Sequence, residues 1–143
     1  MAIYSLSLRT TVTTIAAAAW AALSPSTNEA GVMELRYVNG AATASVIGVG
    51  RSGNTPTLSA GTAFLAEDEG RTAGVTQAGV AFGTAPTVPA NFFRRASIAA
   101  VIGVGIIYTF PRGLVLAAAG AGLVVWNITT NSAVVDIDCV VDE

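Results

Sequence analysis

The sequence predicts an all-β protein, a jelly-roll-like sandwich of about eight strands with one short N-terminal α-helix, in a single domain over 1–143. Three observations carry this. Apolar and polar residues alternate in AIYSLSLR (2–9), GVMELRYV (31–38) and the closing segment Ser132–Val141, as in strands with one buried face. Turn signals recur about every 8 to 12 residues, the rhythm of a sandwich or barrel. The long charge-free runs 96–110 and 113–126 are rich in Val, Ile and Gly, which suits buried strands.

Taken in order, residues 2–9 form a strand with Tyr4, Leu6 and Leu8 on one face and Ile3, Ser5 and Ser7 on the other. Thr10–Ser24 follows, TTVTTIAAAAWAALS. Its Ala run and the spacing of Val12, Ile15, Ala16, Ala19 and Leu23 predict the helix, which Pro25 stops. A secretory signal over 1–24 is the rival reading, but the lone Arg9 comes late and the alternating start suits a strand. Residues 31–38 and 41–50 flank Asn39-Gly40, a turn dipeptide that predicts a hairpin. Residues 51–63 read as loop, 73–82 as a strand and GTAPTVPAN as an extended link. Pro111-Arg112-Gly113 reads as a turn, and 114–118 with 122–128 as a second hairpin around Ala-Gly-Ala-Gly. In the closing strand Val135, Ile137, Cys139 and Val141 share one face; Asp136, Asp138, Val140 and Asp142 share the other, taken as the open face of an edge strand.

Composition narrows the function. Hydrophobic residues make up 52% of the chain and charged residues 11%, against roughly 25% charged in an ordinary soluble domain. So few charges imply a surface hidden against partner chains or in lipid. All seven basic residues are Arg, whose flat, weakly hydrated fork suits interfaces. A net charge of −2 gives no basic face for nucleic acid. There is no His, which removes the commonest general base and zinc ligand. The one cysteine, Cys139, has no partner for an intrachain disulfide and reads as a small core residue.

Several motifs fall to plainer readings. Gly48-Val49-Gly50-Arg51-Ser52-Gly53 matches G-x-G-x-x-G, but no helix can open at Asn54-Thr55-Pro56, and a dinucleotide site needs one. Glu67-Asp68-Glu69 could meet a hard cation; a solvated loop, or a salt bridge to a neighbour's Arg, fits better. Asn127-Ile128-Thr129 matches a glycosylation sequon at a strand end, with nothing else arguing for secretion. The runs 96–110 and 113–126 are 15 and 14 residues long, short of the roughly 20 a spanning helix needs. VIGVG occurs at 46–50 and at 101–105, with no likeness on either side to support a repeat. The reading is therefore no catalytic, cofactor or metal site, no enzyme and no small-molecule binder, with a small membrane protein as the rival reading of the two apolar runs.

The run FPRGLVLAAAGAGLVVWN, the alternating strand that ends in VVDE, and the segment MELRYVNGAATASVIGVGR (33–51) resemble strands of small jelly-roll auxiliary proteins on tailed-phage capsids. The likeness covers under half of the chain and lies in strand rhythm. The same rhythm resembles trimeric tumour-necrosis-factor-like and complement-C1q-like modules. The phage resemblance implies a decoration or cement protein: a homotrimer, made in the host cytoplasm, that binds the major capsid protein on the virion surface. On that reading residues 2–24 form an arm reaching a neighbour through Ile3, Tyr4 and Trp20. Arg94, Arg95 and Arg112 are the expected inter-subunit cations.

Overall fold

The computed structural model describes residues 2–10, 17–25, 27–128 and 134–143. Four strands come first: β1 (Ile3–Arg9), β2 (Ala18–Leu23), β3 (Ala30–Asn39) and β4 (Ser45–Gly50). Five short ones follow: β5 (Thr57–Leu58), β6 (Thr62–Ala63), β7 (Leu65–Ala66), β8 (Gln77–Gly79) and β9 (Phe82–Thr84). The chain closes with β10 (Arg94–Ile98), β11 (Gly105–Leu116), β12 (Leu123–Asn127) and β13 (Val135–Asp142).

One sheet has the order β11-β3-β13-β1-β7, the other β10-β4-β12-β2-β8-β6; β5 and β9 form a separate ribbon. Among the eight longer strands, first pairs with last, second with seventh, third with sixth and fourth with fifth, all antiparallel. That is one long hairpin rolled up, the jelly-roll arrangement. Leu6, Leu35, Ile137 and Cys139 of the first sheet face Trp20, Ile47, Val49 and Val125 of the second in one core. The alternation in β13 falls as read, with Val135, Ile137, Cys139 and Val141 buried.

A second, smaller core lies on the outer face of the β10–β6 sheet. Ala21, Val124 and Trp126 are fully buried there, with Phe82, Phe92 and Ile128 packed on them. Phe92 meets Trp126 edge-on, ring centroids 5.7 Å apart. The long excursion between β4 and β10 thus folds back as a cover. The glycines of the G-x-G-x-x-G stretch make this possible. A Cβ on Gly48 would stand 2.7 Å from the Phe92 ring, and one on Gly50 would stand 3.4 Å from Pro89.

This two-sided burial corrects the N-terminal helix. The described part of 10–24 contains the strand β2, not a helix; residues 11–16 lie outside the described residues. Trp20 and Ala22 face the main core and Ala21 the second one. A strand buried on both faces shows no polar alternation, so its Ala run reads as helix until β12 and β8 claim its edges. The two hairpins are corrected as well. β3 and β4 lie in different sheets, as do β11 and β12, so both connections cross the sandwich. Pro111-Arg112-Gly113 is a bulge inside β11, where register shifts between Thr109 and Leu114 and Gly113 takes φ 68°. β13 lies in the middle of its sheet, not at an edge, and β1 is held on both sides by β13 and β7. Residues 3–9 are therefore no free arm.

Candidate interaction surface

β10 ends one sheet and β11 the other, on the same side of the sandwich: the Arg94 guanidinium lies 5.9 Å over the Phe110 ring. Ala99–Val104 joins the two strands. Val101, Ile102 and Val104 on this loop, and Ile107 just after it, are all exposed. Phe93 and Val115 extend the apolar strip along the same side. An open depression of about 570 Å³, lined by Arg36, Val38, Gly103, Gly105, Ile106 and Ile107, lies beside the loop.

This greasy loop is held rigidly. Asn39, buried at the end of β3, donates its backbone N–H to the Val104 carbonyl at 2.9 Å and accepts from Gly103 N–H at 2.9 Å. Its side-chain amide donates to the Ala99 carbonyl at 2.8 Å and to Thr43 at 3.1 Å. Ser45 Oγ donates to Asn39 Oδ1 at 3.2 Å and lies 2.9 Å from the Tyr37 hydroxyl. Burial pushes the Tyr37 phenol up, and the bond to Ser45 pulls it partly back. Asn39-Gly40 thus serves as a crossover and a clamp. Gly105 packs where any side chain would meet the Tyr37 carbonyl, and Gly103 takes φ 83°, which favours glycine.

Three arginines are paired with carboxylates within the chain. Arg9 pairs with Asp136 at 2.7 Å, Arg36 with Asp138 at 2.6 Å and Arg71 with Asp68 at 2.9 Å. The Arg9 guanidinium holds the Asp136 carboxyl below its ordinary range. Among the described residues, Arg51, Arg94, Arg95 and Arg112 make no ion pair; Arg94 and Arg95 lie on β10 with Arg51 beside Phe93, whereas Arg112 shares a depression with Glu29, Asp142 and Glu143. Arg51 Nη2 donates to the Val115 carbonyl at 2.5 Å and stands 5.7 Å over the Phe93 ring. Glu67, Asp68 and Glu69 lie exposed on the far side, directly after β7, where Glu67 N–H donates to the Ile3 carbonyl at 3.0 Å.

The expected contact residues separate into three groups. Arg94 and Arg95 stand exposed on β10, and Arg112 is exposed in the β11 bulge. Ile3 is exposed on β1, at the opposite side, and Tyr4 is half-buried against the core. Trp20 is fully buried and has no surface to offer a partner, which corrects that expectation. Sequence reasoning missed the loop 99–104 because its VIGVG is identical to the buried one at 46–50. Cys139 is buried between sheets and its thiol is pushed up by desolvation, which suppresses the reactive thiolate. Asn127 of the sequon is also buried; Thr129 lies outside the described residues. Among the described residues, no cluster of three metal-ligating side chains could hold an ion, and no helix is long and apolar enough to cross a membrane.

Comparison with family models, curated proteins and solved structures yields no match.

Proposed function

We propose that this is a non-enzymatic virion structural protein, a homotrimeric decoration protein that binds the outer surface of a tailed-phage capsid and stabilises contacts between major capsid subunits. The observation that supports it is the exposed aliphatic loop 99–104, clamped by Asn39 and flanked by Arg94 and Arg95, which form no ion pair among the described residues. An ordered apolar surface has already lost the conformational freedom that binding would otherwise remove. Each Å² of it removed from water contributes roughly 25 cal/mol. Covered between copies, this surface holds the trimer together, and a trimer engages several capsid subunits at once, so linkage multiplies its weak capsid contacts. The test is co-sedimentation with expanded capsids assembled from the major capsid protein encoded in the same genome. Saturable binding that Ile102→Asp abolishes is expected; no binding by the wild-type chain overturns the reading.

The jelly-roll strand order supports a second reading, because lectin domains share it with viral capsid domains. On that reading the protein is a secreted or surface-displayed trimeric binding module. Binding to a glycan or receptor, with no affinity for capsids, would favour it.

A further inference from the structure

We propose that copies of this chain join head to tail, the basic apolar β10–β11 side of one seating on the acidic β1–β7 edge of the next. This rests on the homo-oligomer proposed above and specifies which surfaces meet. The two sides lie at opposite ends of a five-stranded sheet. At about 4.8 Å per strand step they stand roughly 19 Å apart, so one copy can engage two neighbours at once.

Charge decides the pairing. Among the described residues, Arg94 and Arg95 on the β10–β11 side form no ion pair, and neither do Glu67 and Glu69 on the other side. A two-fold contact between identical β10–β11 sides would bring the Arg94–Arg95 pairs of both copies into one interface. Like charges brought together in that way oppose association. The head-to-tail contact sets the same arginines against carboxylates. It also matches apolar surface with apolar surface: Ile102 and Ile107 on one side, Ile3 and Leu65 exposed on the other. A heterologous contact of this kind closes into a ring when its rotation permits.

Native mass spectrometry of four full-length proteins tests this: wild type, Arg94→Glu/Arg95→Glu, Glu67→Arg/Glu69→Arg, and all four substitutions together. Among the described residues Arg95, Glu67 and Glu69 have no side-chain partner, whereas Arg94 lies over Phe110 and donates to the Phe93 carbonyl; thermal melting checks that each variant folds. The wild type is expected as a closed multimer, each double variant as a monomer, and the fourfold variant as the wild-type multimer again. A monomeric wild type, an acidic-edge variant of unchanged mass, or a fourfold variant that stays monomeric would each overturn the proposal. A multimer with this behaviour that ignores capsids refutes the decoration reading alone. A monomer that still coats capsids refutes the head-to-tail contact and the trimer, and leaves capsid decoration standing.

Discussion

VIGVG appears twice in this chain, and the two copies have opposite fates. At 46–50 it lies in β4, flanked by β10 and β12, with Ile47 1% and Val49 0% exposed. At 101–105 it forms a turn that leads into β11, with Ile102 66% and Val104 39% exposed. Five identical residues cannot encode the difference. In the first copy Gly48 is small so that Phe92 can lie on the strand; in the second Gly103 is needed for its positive φ. The contrast teaches that burial here is conferred by what folds onto a segment. Among the described residues nothing covers the second copy, and a partner is proposed to supply a cover.

The largest difference between the copies is expected from a charge. Ile47→Asp buries an unpaired carboxylate in the main core, a cost of several kcal/mol, and should abolish cooperative thermal unfolding. Ile102→Asp should keep a cooperative transition and lose only the stability that association confers. Equal damage in both would break the comparison. The glycines come next. Gly48→Ala sets a Cβ against Phe92 and Ile128 and should cost about 1–3 kcal/mol through overpacking, read by chemical denaturation. Gly103→Ala meets no atom within 4 Å, and only its positive φ opposes it, at about 1–2 kcal/mol.

The clamp sharpens the comparison further. Asn39→Ala removes the side-chain bonds to Ala99, Thr43 and Ser45 and leaves buried polar groups unpaired, at about 1–3 kcal/mol. Amide exchange in 99–105 should accelerate, with little change in 46–50. The smallest effect is electrostatic. The Asp136 carboxyl is depressed below 3.8 in the folded chain, so the unfolded chain takes up its proton first. Its contribution is present above that value and is lost as pH falls through the folded pKa. Asp136→Asn should flatten the stability profile below about pH 4 and leave the shape of the neutral range unaltered.

How much of this the sequence disclosed varied with the number of faces each strand buries. β1, β3 and β13 bury one face, and their alternation located them and set Cys139 and Ile137 in the core. β2 buries both faces, so Trp20 and its alanines imitated a helix. Pairing was harder than location. Asn39-Gly40 suits a tight hairpin, yet the chain crosses between sheets there, because rolling the long hairpin pairs β3 with β11 instead. The arginines of β10 and β11 were picked out by type alone. Their neighbours on the surface, Val101, Ile102 and Ile107, looked like core because nothing local distinguishes an uncovered aliphatic run from a covered one.

The central claim is that the β10–β11 side exists to be covered by another chain. Sedimentation velocity of the wild type beside Ile102→Asp/Ile107→Asp, at matched micromolar concentrations, addresses it most directly. A multimer that falls to monomer in the variant, which still unfolds cooperatively and loses only the stability that association confers, is the predicted result. The same sedimentation coefficient for both proteins would contradict it.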